Sequence, residues 1–271
     1  MKNEDLRVGW EKLDQTADPR SFIRFLDAND ADEWTRAHKG RALALLEAQP
    51  GSRFLDVGCG TGTDVRTLAQ QVGPEGKVVG IDLSTVMITE AQKRAEGSHV
   101  PMEFKQASVY DLPFADDTFD GCYSFLTFDI LEHPQPALAE VIRVVKPGGR
   151  IVNSGCDYDT IIVDAPNRAL TRTLQHFYCD SLYNGWIGRQ LRGLYKEAGL
   201  QEIAVLPDTA VVTDYAFVKQ RTLQPLVDRA LAVGIISAAD ATAWLRSLYE
   251  ASQAGRFFSA GTTFIVSGRK S

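Results

Sequence analysis

The chain has 271 residues, of which 44% are hydrophobic, with a net charge of −6 at neutral pH and a pI near 5.3. This length allows one sizeable α/β domain with insertions. The acidic balance argues against a nucleic-acid substrate, because binding to a polyanion requires a basic surface. A small molecule is therefore the expected substrate.

The sequence also limits the compartment. No apolar run reaches the roughly 20 residues that a membrane span needs, and the first residues, MKNEDLRVGWEKLD, lack the apolar stretch of a secretory signal. We therefore expect no membrane span and a cytoplasmic protein. Its cysteines are scattered without a C-x-x-C pair, which predicts free thiols and no zinc site at Cys59, Cys122, Cys156 and Cys179. The oligomeric state is left undetermined.

Residues 1–50 are polar and charged, with apolar positions at the spacing of short amphipathic helices. A clearer helix is predicted from about His38 to Ala48, before the Pro50-Gly51 stop. We interpret 1–50 as an N-terminal helical lid segment and 51–271 as the main domain.

From residue 51 the pattern alternates between buried strands and amphipathic helices. It predicts helices at 63–72, 84–96 and 136–146, and strands at 53–57, 77–82, 102–107, 119–124 and 149–154. Alternation of this kind predicts a doubly wound α/β fold with a mostly parallel sheet and helices on both sides.

After residue 154 this rhythm changes. A helix at 187–198 and strands at 202–206 and 257–268 complete a predicted sheet of seven strands. Two insertions remain, at about 156–186 and 214–254, and the second contains two helical stretches. We expect both insertions to pack on the domain as a cap.

The strongest signal is the stretch FLDVGCGTG at 54–62, in which a buried strand leads into glycines at alternate positions and then into a helix. Glycines let the chain turn sharply and approach a ligand closely, and the start of a helix presents free N–H groups. The spacing is G-x-G-x-G and not the dinucleotide pattern G-x-G-x-x-G, because position 63 is Thr63. The loop is therefore predicted to hold a nucleotide-sized ligand.

Two carboxylates flank this loop. Asp56 ends the first strand, and Asp82 ends the second, 20 residues after Gly62. A carboxylate at the latter position can accept hydrogen bonds from both hydroxyls of a ribose. The two acidic groups favour a ligand with an amino group and a sulfonium over one with a pyrophosphate.

At these motifs, and at VVGIDLS, ASVYDLPFADDTFD and LEHPQPALAEVIRVVKPGG, the chain resembles the class I S-adenosylmethionine-dependent methyltransferases. The resemblance is greatest to the group that includes ubiquinone/menaquinone and small-metabolite methyltransferases. It covers residues 50–154 densely, and 187–206 and 257–268 loosely. It implies a Rossmann-like methyltransferase fold and S-adenosylmethionine as the cofactor.

The resemblance also implies which positions bind the cofactor. Asp56 would hold the methionyl end together with the glycine loop, which comprises Gly58, Cys59, Gly60, Thr61 and Gly62. Asp82 would bind the ribose hydroxyls, and Ser124 and Phe125 would border the methionine moiety. The adenine end would be formed by Leu83, Met87, Ala107, Ser108 and Val109.

Within the adenine end, the resemblance assigns the amino group to Ser108 and a ring nitrogen to the Val109 N–H. The family commonly carries an acidic residue where this chain has Ser108. A hydroxyl still accepts a hydrogen bond, so we expect weaker binding there but no loss of the cofactor. Cys59 is expected to pack inside the loop and not to act as a nucleophile.

Several further residues have two interpretations each. His133 follows the fourth strand and is the candidate general base, because imidazole titrates near neutral pH; alternatively it only orders the loop before Pro134. Arg36, His38 and Lys39 either reach the methionine carboxylate or form a solvated helix face.

The cluster at 156–159, Cys-Asp-Tyr-Asp, either shapes the substrate pocket or is a solvated loop. In the first insertion, His176, Phe177 and Tyr178 are expected to pack the cap against the core, with a plausible part in recognising the substrate.

The sequence thus predicts an S-adenosylmethionine-dependent methyltransferase that acts on a small-molecule metabolite, and the aromatic residues in 1–50 and 176–186 favour an apolar acceptor. Two alternatives remain: an enzyme that uses the same cofactor for another reaction, such as a cyclisation, and a binding module without catalysis. No metal is expected, because no His/Asp/Glu cluster has ligand spacing. The acceptor itself is not specified, since fold does not determine function.

Overall fold

The computed structural model describes residue 10 and residues 12–271. Its strands form a seven-stranded sheet in the order β3-β2-β1-β4-β5-β7-β6. They are β1 (Arg53–Val57), β2 (Lys77–Asp82), β3 (Met102–Gln106), β4 (Phe119–Phe125), β5 (Val145–Val163), β6 (Gln201–Val212) and β7 (Ser259–Arg269). The pairs among β1 to β5 are parallel, whereas β7 runs antiparallel to both β5 and β6.

Helices cover both faces and the carboxyl edge of the sheet. They are α1 (Arg20–Ala31), α2 (Glu33–Ala44), α3 (Thr63–Val72), α4 (Thr85–Ala95), α5 (Pro134–Val144), α6 (Arg168–Asp180), α7 (Ile187–Glu197), α8 (Tyr215–Val218), α9 (Gln224–Ala232) and α10 (Ala238–Gln253). Side-chain caps fix several of their starts: Asp32, Ser84 and Ser237 each accept a hydrogen bond from a backbone N–H in the first turn.

Three hydrophobic clusters hold these layers together. The first lies between the sheet and α5 and α7, and includes Leu138, Leu191 and Tyr195. The second lies under α2, α3 and α4 on the opposite face. The third is the core of the cap, where α6, α9 and α10 bury side chains such as Leu174, Trp244 and Leu248.

The sheet agrees with the prediction of a doubly wound, mostly parallel fold, but some boundaries differ. The N-terminal helix predicted at 38–48 spans Glu33–Ala44, because Asp32 caps it and begins it earlier. The strand predicted to end at residue 154 continues to Val163, because it pairs with β7 as far as Ser259. The first insertion therefore begins as a strand and becomes helical only at α6.

Helix α2 also differs from the description of 1–50 as a lid. Ala42 and Leu43 are almost fully buried in the second cluster, so α2 is part of the layer that covers the sheet. Helix α1, in contrast, carries Leu26 to the glycine loop at the carboxyl edge. Below, "lid" refers to α1 and the short turn Leu13–Gln15 before it.

The strand order reverses between β1 and β4, and in open α/β sheets ligands bind at the carboxyl ends of the strands beside such a point. The predicted site residues on β1, β2 and β4 all lie at or just after these ends. In the part of the chain that the structure describes, no helix combines the length and apolar character that crossing a membrane requires.

Candidate functional site

The glycine loop after β1 forms a tight cradle. Gly58 and Gly60 have φ values of +72° and +50°, in the left-handed region where a side chain is strained. A Cβ atom on Gly58 would lie 2.1 Å from the hydroxyl oxygen of Thr127, and one on Gly60 would lie 2.8 Å from Leu26. Glycine is therefore required at both positions, because a side chain there would collide with Thr127 or Leu26.

The loop is fixed to the neighbouring strand. The backbone N–H groups of Gly58 and Cys59 both donate to the carbonyl of Ile81, at 2.9 Å. The carboxylate of Asp82 accepts from the N–H of Gly60 and from that of Ser84, each at 2.9 Å. Asp82 is half-buried, and its oxygens have further lone pairs that can accept hydroxyl donors.

Asp56 is a buried acid of the site. It is 2% exposed, and its Oδ2 has no hydrogen-bond partner among the described residues. Burial raises the pKa of Asp56 well above its ordinary value, and the nearby charge of Asp64 raises it further. A buried carboxylate oxygen without a partner is costly unless a ligand supplies a donor, and an ammonium group is such a donor.

The adenine-side residues are brought together by the pairing of β2 with β3. Asp82 is opposite Gln106, whose side-chain amide donates to the carbonyl of Leu83 at 3.0 Å. The N–H of Ala107 donates to the carbonyl of Asp82, also at 3.0 Å. Leu83 is exposed, whereas the remaining side chains of this end are buried or half-buried: Met87, Ala107, Ser108 and Val109.

The methionine side of the site lies at the end of β4. Ser124 is 1% exposed, and its hydroxyl has no partner within the described part of the chain. The Nζ of Lys39, from α2, lies 4.8 Å from the centre of the Phe125 ring. Lys39 also pairs with Asp30 at 2.7 Å and with Asp64 at 3.0 Å. Burial lowers the pKa of Lys39, but the two carboxylates outweigh it and the pKa is raised.

The remaining residues of the basic N-terminal group lie apart. Arg36 is exposed. His38 is fully buried, with Nδ1 2.7 Å from Asp208 on β6 and Nε2 3.1 Å from the hydroxyl of Ser154 on β5. The solvated-face interpretation therefore holds for Arg36 and is wrong for His38 and Lys39, because long-range ion pairs and hydrogen bonds bury both.

The lid covers the cradle from the solvent side. Leu26 lies so close to Gly60 that its side chain would clash with a methyl group at that position. Asp14 accepts hydrogen bonds from the hydroxyl of Ser84 and from the backbone N–H of Thr85 at 2.8 Å. It thus adds a second acceptor at the start of α4, where helix N–H groups lack partners. The lid is anchored beside Asp82.

A further carboxyl group at this edge was not found from the sequence. Asp129 lies in the short turn Phe128–Ile130 after β4 and is 1% exposed. Its Oδ2 accepts from the N–H of Cys156 at 3.3 Å, and its Oδ1 has no partner among the described residues. Burial raises the pKa of Asp129 well above the ordinary value, although hydrogen bonds from the Cys156 backbone and the Tyr158 side chain oppose this.

His133, in contrast, is exposed beside the start of α5, and its backbone N–H donates to the hydroxyl of Tyr110 at 3.1 Å. Its assignment as a general base stays a prediction. The 156–159 cluster is not a solvated loop, because it lies in β5: Asp157 is buried and pairs with Arg189, and the Tyr158 ring packs edge-on against Tyr178.

The first insertion packs largely as expected. Phe177 and Tyr178 contact the cap core, whereas His176 is exposed, so its expected packing role is wrong. All four cysteines are free thiols, and Cys59 is buried with its pKa raised by burial, which agrees with a packing role. Within the described residues, no group of three His, Cys, Asp or Glu side chains is arranged to hold a metal ion.

Comparisons with known proteins identify relatives of this chain. Residues 54–149 match the family described as a methyltransferase domain. An uncharacterized 37.1 kDa protein in transposon TN4556 of Streptomyces fradiae is 35% identical over 246 residues, which are 90% of this chain and 70% of the relative. A demethylmenaquinone methyltransferase of Symbiobacterium thermophilum is 36% identical over 153 residues, 56% of this chain and 59% of that protein.

Among solved structures, the YcgJ protein of Bacillus subtilis is similar with a TM-score of 0.62 and 17% identity, over 87% of this chain and 98% of that one. At this identity the likeness concerns the fold alone. The family match falls on the glycine loop, Asp82 and the strands that position them, and the relative in Streptomyces fradiae extends over most of the chain. The chain belongs to the class I S-adenosylmethionine-dependent methyltransferases.

Proposed function

We propose that this chain binds S-adenosylmethionine in the cradle and methylates a small-molecule metabolite. The observation that carries the proposal is the unpartnered Oδ2 of Asp56, buried beside a glycine loop that has no room for a side chain. The amino group of S-adenosylmethionine fits that oxygen, and the half-buried Asp82 fits its ribose hydroxyls. When bound, S-adenosylmethionine supplies the methyl group on a sulfonium leaving group.

The chain's own residues would bind the cofactor, orient the two reactants and exclude water from the site. Asp56 and the glycine loop hold the methionyl end, with Ser124 and Phe125 as its border. The lid covers the loop through Leu26, and closure over a reacting centre protects it from water. Alignment of two reactants in this way contributes about 7–11 kcal/mol of a barrier.

Where the acceptor must lose a proton, Asp129 is better placed than His133. Its Oδ1 has no partner among the described residues, and its turn directly follows Thr127, which packs against Gly58. The ionised form of Asp129 is an acceptor only, which is what removal of a proton from the methyl acceptor requires. Asp129 would accept the proton as the acceptor is methylated.

The chemical class of the methyl acceptor follows from the charge of the chain and from the side chains around the carboxyl edge of the sheet. The net charge of −6 disfavours nucleic acid, and the aromatic side chains of the lid and cap provide apolar surface. The name of the relative in Symbiobacterium thermophilum, a demethylmenaquinone methyltransferase, supports an acceptor with an apolar body. That relative is only partly covered by this chain, so the activity and the acceptor are both part of the proposal.

The test is incubation with methyl-labelled S-adenosylmethionine and a panel of metabolites. We expect label in one acceptor, loss of transfer in Asp82→Ala, and unchanged transfer in Glu75→Ala, which removes an exposed carboxylate at the opposite edge of the sheet. Binding without label transfer, with a rearranged acceptor, would show a cyclisation instead. Absence of binding to S-adenosylmethionine or S-adenosylhomocysteine would refute the proposal as a whole.

A further inference from the structure

One charged side chain at the boundary of lid and cap is not used by the proposed reaction. Arg221 lies in a single π-helical turn, Lys219–Leu223, between α8 and α9 of the cap. Turns of this kind are rare and occur frequently at functional sites, because the widened backbone re-aims a side chain. The turn directs Arg221 towards α1 of the lid.

The Arg221 guanidinium is enclosed by two aromatic rings from different segments. Its central carbon lies 5.0 Å from the ring centre of Phe25 on α1 and 4.6 Å from that of Phe217 on α8. The rings offer favourable contact to the faces of the cation. The two rings do not provide hydrogen-bond acceptors for the N–H groups at the edge of the guanidinium.

The two terminal nitrogens of this guanidinium have no acceptor in the part of the chain that the structure describes. Both terminal nitrogens, Nη1 and Nη2, are inaccessible to solvent and have no hydrogen-bond partner among the described residues. Asp32 is near enough to influence the charge, but burial is the larger effect and lowers the pKa of Arg221. Arginine stays charged in proteins, so this group cannot relieve its burial by losing a proton.

A buried cation without a partner is costly, and such groups call for an explanation such as a bound ion. The planar fork of arginine matches carboxylate and phosphate oxygens, which it binds through two parallel hydrogen bonds. The same helix also contacts the cofactor loop. Phe25, which stacks on the guanidinium, is followed in α1 by Leu26, whose side chain lies beside Gly60.

We propose that Arg221 binds an anionic oxygen group, a carboxylate or a phosphate, on the methyl acceptor, between Phe25 of the lid and Phe217 of the cap. The inference rests on the proposed methyltransferase function and specifies the acceptor further. The acceptor has an apolar body, which the aromatic side chains contact, and an anionic group at one end. Binding of this group would also hold the lid against the cap.

The first test uses simple probes with the protein saturated by S-adenosylhomocysteine. Benzoate and phenyl phosphate represent the two anionic groups, and benzyl alcohol is the neutral analogue; ligand-observed NMR measures their dissociation constants. We expect either anion to bind better than benzyl alcohol. Arg221→Met should weaken binding of the anions by at least about tenfold, and Arg221→Lys should weaken it less. Arg246→Met, which changes an exposed arginine of α10, should leave binding of the anions unchanged.

Binding of S-adenosylhomocysteine by each variant, measured by calorimetry, separates the two proposals. Normal binding to Arg221→Met shows that the variant is folded and that the cofactor site does not depend on Arg221. Equal binding of the anions to the parent and to Arg221→Met, or no preference of the parent for anions, would overturn the Arg221 proposal. Failure of S-adenosylhomocysteine to bind the parent would instead refute the proposed function.

The second test uses the acceptor found by the labelled panel. The parent should prefer the free acid or phosphate over its neutral ester by at least about tenfold in kcat/KM, and Arg221→Met should lose that preference mainly through KM. A neutral acceptor, or an unchanged preference in Arg221→Met, would overturn the assignment.

Discussion

The buried histidine that joins α2 to the sheet allows a stability prediction with a defined pH dependence. Asp208 accepts only, so the Nδ1 of His38 carries the proton at 2.7 Å, and its Nε2 accepts from the Ser154 hydroxyl at 3.1 Å. Both ring nitrogens of His38 are thus hydrogen-bonded, and its lowered pKa favours the neutral ring at pH 8. Burial lowers its pKa, and the charges of Arg41 and Lys39 add to this, whereas Asp208 opposes it.

His38→Phe keeps the ring between Trp34 and Phe125 and removes both hydrogen bonds. A hydrogen bond to a charged acceptor is worth about 1.5–3 kcal/mol, and an orphaned buried hydroxyl costs about 1–3 kcal/mol. Asp208 retains Trp34 and Arg41 as donors, which limits the loss. We expect the free energy of unfolding to fall by about 2–4 kcal/mol at pH 8.

The difference in the free energy of unfolding between the parent and His38→Phe should become smaller at acidic pH. Below pH 6.5 the unfolded parent binds a proton on His38 that the folded parent does not. The free energy of unfolding of the parent therefore decreases as the pH is lowered, by up to about 1.4 kcal/mol per pH unit. The variant lacks this group and this slope. The pKa of Asp208 is also lowered, but its contribution is lost only below its ordinary value of 3.8 and so lies outside the window.

The assay is urea denaturation of the parent, His38→Phe and His99→Phe between pH 5 and pH 8. His99 is exposed, so His99→Phe should follow the parent at every pH. A difference between the parent and His38→Phe that does not change with pH would refute the buried neutral histidine. No difference at pH 8 would refute the contribution of its hydrogen bonds.

Four further outcomes follow from the site. Asp82→Ala should weaken S-adenosylhomocysteine by a few kcal/mol in calorimetry, since each hydrogen bond to a charged acceptor is worth about 1.5–3 kcal/mol; unchanged affinity would mean that Asp82 does not bind the ribose. Gly60→Ala should also weaken binding of S-adenosylhomocysteine. Adding Leu26→Ala to this variant should restore part of the lost affinity by removing the clash with the lid; no restoration would disprove that contact. Asp129→Asn should bind S-adenosylhomocysteine normally but lose the rise of kcat with pH that ionisation of Asp129 produces, if methylation needs a base; an unaltered pH profile would exclude this role. Added S-adenosylhomocysteine should raise hydrogen-exchange protection in 12–31 and leave β1 and β2 unchanged; equal exchange in 12–31 would exclude closure of the lid.

The sequence by itself determined the order of strands and helices from β1 to β5 and the loop that marks the site. Apolar periodicity, helix caps and glycine spacing are local signals, and they act over a few neighbouring residues. Asp56, Asp82 and the glycine loop belong to adjacent strand ends, and parallel pairing brings such ends together. Their approach followed from the pattern because one rule of topology connects them.

Only the tertiary structure decided the rest, because burial and partners depend on segments far apart in the chain. The local sequence indicates that His38 is a basic residue of a polar helix. Its two hydrogen-bond partners, Asp208 and Ser154, lie 170 and 116 residues further along the chain. The extension of β5 depends on pairing with β7, more than 90 residues later. Asp129 and Arg221 carry no local motif; each becomes notable because folding buries polar atoms, Oδ1 of Asp129 and both Nη atoms of Arg221, that have no partner among the described residues.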